Sequence, residues 1–96
     1  MNFFLRLNPP RPTFPADITD DERTIMASHI EYWQPFLENG TLLVFGPVMD
    51  PKGVFGMAVI SVDSEEQARE LAVNDPATQI GTVDVIPMKA SVKKKA

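Results

Sequence analysis

His29 is the sole histidine of the chain, and it stands where an amphipathic helix ordinarily carries leucine. At about 100° per residue, the run from Asp20 to Asn39 gathers Ile25, Met26, Ile30, Trp33, Phe36 and Leu37 into an arc of roughly 140°. His29 falls inside that arc, so its imidazole points at the core or at a cavity in it. Imidazole titrates near neutral pH, which suits it to taking up and returning a proton. A core histidine with one hydrogen-bond partner fits the same position, and both roles stay open here.

Asp75 is the natural partner. It lies in Asn74-Asp75-Pro76, just past a second helix expected on the same sheet face. A carboxylate bonded to imidazole fixes its tautomer and turns the free nitrogen toward a substrate, the arrangement that general acid–base chemistry uses. Aspartate before proline also caps or turns a helix end, so a structural role is the alternative. Arg6, in a strand, and Arg11, in a proline-rich loop, are candidates to bind a substrate carboxylate. Gly46-Pro47 would let a ligand approach the backbone or simply end a strand. Trp33 shares the face of His29 and is read as core and pocket wall; Tyr32 does not share that face.

The elements that must position these residues follow from local signals. Phe3 to Leu7 reads as a strand bounded by Asn8-Pro9-Pro10. Four prolines (Pro9, Pro10, Pro12, Pro15) make the next stretch extended, because proline fixes its own φ and restricts its predecessor. Long loops in small domains are usually functional or disordered, and the stretch from Asn8 to Ile18 is expected to fold over the pocket mouth as a lid. Thr19-Asp20-Asp21-Glu22 matches a capping box with acidic residues in the first turn. Pro35 is expected to kink the helix or end its regular part, with Asn39-Gly40 as the stop. Leu42 to Val48 and Val54 to Val62 read as strands joined by the turn Asp50-Pro51-Lys52-Gly53. Ser64-Glu65-Glu66-Gln67 opens a second helix with Ala68, Leu71 and Ala72 inward, and Val83 to Met88 is the last strand.

That order, β-α-β-β-α-β, is the ferredoxin-like α+β unit, an antiparallel sheet with both helices on one face. Strict alternation would set Leu42, Val44 and Gly46 against Leu43 and Phe45, and Phe55, Met57 and Val59 against Ala58, Ile60 and Val62. Both faces of the sheet centre are then apolar, and two helices cover only one. A large uncovered apolar face is rare in monomers, so a homodimer with sheets face to face, a dimeric α/β barrel, is expected.

Composition narrows the function. The chain has 96 residues, 44% of them hydrophobic, enough for one domain. The absence of cysteine excludes disulfides and a thiol nucleophile, and a single histidine argues against a metal site. Residues 1–88 carry five cations and thirteen anions, a balance of −8, while Lys89, Lys93, Lys94 and Lys95 crowd the last eight positions. Such a surface disfavours nucleic acid. The lysine-rich stretch 89–96 is expected to be a disordered tail beyond a domain spanning 1–88. No apolar run approaches the ~20 residues of a membrane span, nor is there a secretory leader, so a cytoplasmic protein without membrane partners is expected. Glycine-rich phosphate loops, the dinucleotide fingerprint and Gly-x-Ser-x-Gly are also absent, so no cofactor is implied.

Taken in order, the His29 helix, Gly40-x-Leu42-Leu43, Phe45-Gly46-Pro47-Val48, Asp50-Pro51-x-Gly53, Ser64-x-Glu66-x-Ala68, Asn74-Asp75-Pro76 and Ile86-Pro87-Met88 resemble the YCII-related (YciI-like) proteins. Pro9-Pro10-Arg11-Pro12-Thr13-Phe14-Pro15 and Tyr32-Trp33 resemble one branch of them. The resemblance runs from residue 2 to about 88. It implies the dimeric barrel and a pocket in which His29 and Asp75 pair, with links in some members to aromatic-compound breakdown. Two functions then stand: a cofactor-independent enzyme performing isomerisation or elimination on a small, cyclic or aromatic-derived molecule, or a non-catalytic module that binds such a molecule.

Overall fold

Both helices begin where side chains satisfy the free N–H groups of a first turn. In the computed structural model, which describes residues 1–93, Thr19 and Glu22 close the reciprocal capping box at the head of α1 (Asp20–Asn39). Glu22 N–H donates to Thr19 Oγ1 at 3.2 Å, and Thr19 N–H donates to Glu22 Oε1 at 2.9 Å. Gly40 ends the helix in the left-handed conformation, φ 87°, which glycine adopts without a Cβ penalty. The helix does not end at Pro35 but continues through it to Asn39. Proline there removes one N–H and frees the carbonyl of Glu31; both residues are exposed, so water can take that carbonyl. At the head of α2 (Glu65–Val73), Ser64 Oγ accepts from Gln67 N–H. The returning bond differs from the expected box: Gln67 Oε1 accepts from Asp63 N–H at 2.8 Å, one residue before the cap.

The strands β1 (Asn2–Asn8), β2 (Leu42–Val48), β3 (Phe55–Ser61) and β4 (Thr82–Met88) form one sheet in the order β2-β3-β1-β4, every neighbouring pair antiparallel. This is the ferredoxin-like α+β arrangement. In register, Phe3 lies opposite Ile60, and Leu5 opposite Ala58 and Val85. Together with Leu42, Trp33, Ala68 and Ala72 these residues make the core between sheet and helices. The two alanines are the buried residues of α2, and their small side chains let that helix sit close to the strands.

Two expectations need correcting. A register shift between Leu42 and Val44 breaks the assumed alternation of β2. With one residue added at the bulge, Leu42 and Phe45 both pair with helix-facing residues of β3, whereas Val44 pairs with Val59 on the other face. The buried arc of α1 is also turned, by roughly 30° at 100° per residue, away from Ile30 and Leu37 and toward Tyr32. Ile30 and Leu37 are 53% and 40% exposed, while Tyr32 packs against the core and its hydroxyl donates to the Leu71 carbonyl at 2.7 Å. Burial holds the Tyr32 phenol above its ordinary pKa. The turn of the helix puts His29 at the centre of the buried arc.

The face of the sheet away from the helices carries Phe4, Val44, Phe55, Met57, Val59 and Ile86, with Val44 and Ile86 about half exposed. Among the described residues, no helix is long and apolar enough to cross a membrane. Residues 89–93 form neither helix nor strand, and 94–96, the end of the expected tail, lie outside the described residues.

Candidate active site

On α1, Met26, His29, Ile30 and Trp33 recur at helical spacing and line one wall of a cavity of about 480 Å³ between the helix and the sheet. Leu5 and Leu7 of β1, Phe45, Gly46 and Pro47 of β2, and Gly56 and Ala58 of β3 supply the facing wall. Gly56 opens that wall, since a Cβ there would lie 3.1 Å from the Leu7 Cβ. Gly81 lets the chain pass against β1: a Cβ would sit only 2.3 Å from the Asn8 carbonyl oxygen. Neither glycine stood out in the sequence, where nothing marks a close approach between distant strands.

Asp75 reaches the cavity because the chain breaks after α2 and restarts as a short 3-10 turn, Pro76–Gln79, with Asp75 as its cap. Its Oδ1 accepts from the Ala77 N–H at 2.9 Å, and its Oδ2 accepts from Trp33 Nε1 at 2.8 Å. The same carboxylate meets His29 Nδ1 at 2.8 and 2.9 Å. Its capping and histidine-pairing roles are therefore held by one side chain, 4% exposed. Two fixed donors already address this acceptor, so the tautomer that completes the set places the histidine proton on Nδ1. Nε2, on the other side of the ring, has no hydrogen-bond partner among the described residues and is not a sealed polar atom. The imidazole meets the edge of Phe45, with ring centroids 6.3 Å apart. A neutral imidazole so held presents a lone pair to the cavity and can take up a proton there.

The loop from Asn8 to Ile18 covers this cavity: Pro9, Pro10, Phe14, Pro15 and Ile18 all contribute to its lining. Its fold is a series of tight turns, with Phe14 N–H donating to Arg11 O, Ala16 N–H to Thr13 O and Ile18 N–H to Pro15 O. The Phe14–Pro15 peptide is cis. Arg11 fastens the loop to the head of α1. Its two terminal nitrogens donate to the two Glu22 carboxylate oxygens, each at 2.7 Å, and Nε donates to Asp17 at 3.0 Å. Asp17 also accepts from Thr13 Oγ1. The guanidinium is thus occupied, and Arg11 stands outside the cavity lining. Arg6 stands outside it too: alternation puts its side chain on the far face of the sheet, 3.8 Å over the Phe55 ring. Of the residues singled out by sequence, the cavity brings together His29, Asp75, Trp33, Gly46 and Pro47.

The Arg11 fork holds the Glu22 carboxyl down at about 2, against an ordinary value of 4.5, aided by the Thr19 backbone bond. A depressed carboxylate contributes its stabilisation fully above its unfolded value and loses it as pH falls toward the folded one. The loop should therefore remain fastened at neutral pH and loosen between about pH 4.5 and about pH 2. Hydrogen-exchange protection of the Ala16 and Ile18 amides reports this, and Glu22→Gln should lower their protection already at neutral pH. Unchanged protection in that variant would show that the loop is held by its own turns and prolines without the Arg11–Glu22 fork.

A family profile described as the YCII-related domain matches residues 2–90. The chain belongs to the YCII-related family. This YCII-related protein is 34% identical over 82 residues to "Derivative of benzaldehyde biosynthesis cluster protein C" of Emericella nidulans, a match covering 74% of this chain and 84% of the relative. Among solved structures it resembles 5-chloro-2-hydroxyhydroquinone dehydrochlorinase of Burkholderia phenoliruptrix, determined with 2,5-dihydroxybenzoquinone. The TM-score is 0.66 at 19% identity, covering 93% of this chain and 95% of that one, so the likeness is one of fold.

Proposed function

We propose that this YCII-related protein is a small enzyme that moves protons on a ring-shaped organic molecule with its own side chains. His29 acts as the base through Nε2 and then as the acid, and Asp75 orients and supports the imidazole. The observation that carries this is the anchored carboxylate: Asp75 is fixed by Trp33 and Ala77 and holds His29 Nδ1, leaving Nε2 at an apolar cavity under a fastened loop. In such a cavity a proton leaves a carbon or hydroxyl of the substrate for Nε2, and the freed electron pair moves into the ring system. If a leaving group departs with its bonding pair, the result is elimination; if the proton returns at another carbon, it is isomerisation. Elimination is the reaction type in the name of the structural neighbour, a dehydrochlorinase, and the name of the curated relative places it in a biosynthesis cluster for benzaldehyde derivatives.

The test is proton exchange. Incubating the protein in D2O with a panel of cyclic ketones and halogenated phenols should give deuterium incorporation or halide release that depends on His29. A protein that binds members of the panel but exchanges no proton with any of them is a binding module, the competing function.

We infer also that the uncovered sheet face packs on the same face of a second copy. Its apolar residues, with Arg6 lying over Phe55, form a surface two helices cannot reach. A stable pair requires at least ~1,200 Å² of total burial, within reach of a four-stranded sheet. Sedimentation should give twice the 10.7 kDa chain mass at micromolar concentration. A single-chain mass there would overturn the pairing.

A further inference from the structure

We propose that the cavity selects neutral, largely apolar ring compounds bearing one polar group, and rejects anions and rings polar at several positions. This rests on the reading of the cavity as the substrate site and narrows the substrate class. Among the described residues, the lining residues whose side chains can hydrogen bond are Asn8, His29, Trp33 and Asp75, and three of these side chains are already committed. The Asn8 amide donates to Thr82 Oγ1 at 3.1 Å and to Asp84 Oδ2 at 3.0 Å, while its carbonyl accepts from Arg6 Nε at 3.1 Å. Trp33 Nε1 is given to Asp75, and Asp75 to Trp33, Ala77 and His29. That leaves His29 Nε2 as the side-chain atom free to meet a ligand.

Among the described residues, no lysine or arginine belongs to the lining, and Arg6 and Arg11 are held elsewhere. A carboxylate or phosphate entering here would shed its hydration shell with no cation to receive it, beside the carboxylate of Asp75. A second hydroxyl directed at the walls would face apolar side chains such as Leu5, Pro47, Phe45 or Met26 and leave its hydrogen bonds unmade. One polar group aimed at Nε2, with apolar surface against the remaining walls, satisfies the cavity. Its volume, about 480 Å³, lies within the range of small-molecule sites and admits a fused bicyclic ring.

β-Naphthol, naphthalene, dihydroxynaphthalene and hydroxynaphthoate form a matched set of probes. Affinity is read by calorimetry on the full chain, and location by the indole N–H signal of Trp33, the one tryptophan present. β-Naphthol should bind and shift that signal, with dihydroxynaphthalene and hydroxynaphthoate about tenfold to a hundredfold weaker, as unpaired buried polar groups require. In His29→Phe, the preference for β-naphthol over naphthalene should disappear. Hydroxynaphthoate or dihydroxynaphthalene binding as tightly as β-naphthol would overturn the inference, as would a β-naphthol that leaves the Trp33 signal unmoved. These affinities involve no turnover, so a protein that shows the preference but no proton exchange refutes the enzyme and leaves the selectivity standing.

Discussion

Asp75→Ala should destabilise the fold by about 3 kcal/mol, because it strands buried donors that have no other partner. Trp33 Nε1 and the Ala77 N–H both end on this carboxylate, and Trp33 is 2% exposed. An unsatisfied buried donor costs ~1–3 kcal/mol, and a domain of this size has only ~5–15 kcal/mol in hand. The thermal midpoint should therefore drop by roughly 10–20 °C. Asp75→Asn keeps the shape and an acceptor oxygen, but its amide nitrogen then faces a donor. His29 can meet that nitrogen only by giving up its Nδ1 proton and carrying it on Nε2. Activity should consequently fall by about two orders of magnitude or more, and because the single amide oxygen accepts from only one of Trp33 Nε1 and the Ala77 N–H, about 1–3 kcal/mol of stability should be lost with it. If the alanine variant melts within ~2 °C of the parent, the carboxylate is not the anchor described here.

The second large effect falls on the chemistry alone. His29→Ala should lower proton exchange by about 10²- to 10⁴-fold, the usual contribution of a positioned acid or base. Its fold should lose no more than ~1 kcal/mol, since the ring borders a cavity and Asp75 keeps two of its three partners. Exchange rates and denaturant unfolding on one preparation separate the two quantities. A variant that unfolds as readily as Asp75→Ala would return His29 to the role of a structural core histidine.

The fold was legible because its signals are local. Capping residues, turn residues and the apolar period of α1 each depend on neighbours within a few positions, and together they fix the element order. His29 was legible for the same reason, as helical phase is a property of one segment. Chain order offered Asp75 as its partner by setting both helices on one sheet face, and the family resemblance strengthened the pairing, because spacing alone does not say where a helix end meets another helix. Tyr32 was misplaced because the arc was drawn from hydrophobicity, whereas the Leu71 carbonyl and the capping Glu22 helped decide how α1 turns. The β2 bulge has no signature in an alternating pattern, so Val44 was assigned to the face of Leu42. Arg11, a candidate by its sequence position to bind a substrate carboxylate, has Glu22 as its partner instead. One signal for that was available: Glu22 lies on the inward arc of α1, and a carboxylate facing inward needs a cation or donors.

In the proposed mechanism, Asp75 holds the proton of His29 on Nδ1 and leaves Nε2 open to the cavity. Because the chain has one histidine, every imidazole signal from a protein labelled with ¹⁵N at histidine belongs to His29. The neutral ring should show a protonated Nδ1 and an unprotonated Nε2, and β-naphthol should move the Nε2 resonance while Nδ1 keeps its proton. A neutral ring protonated on Nε2, or an Nε2 resonance indifferent to a ligand that occupies the cavity, would contradict the account.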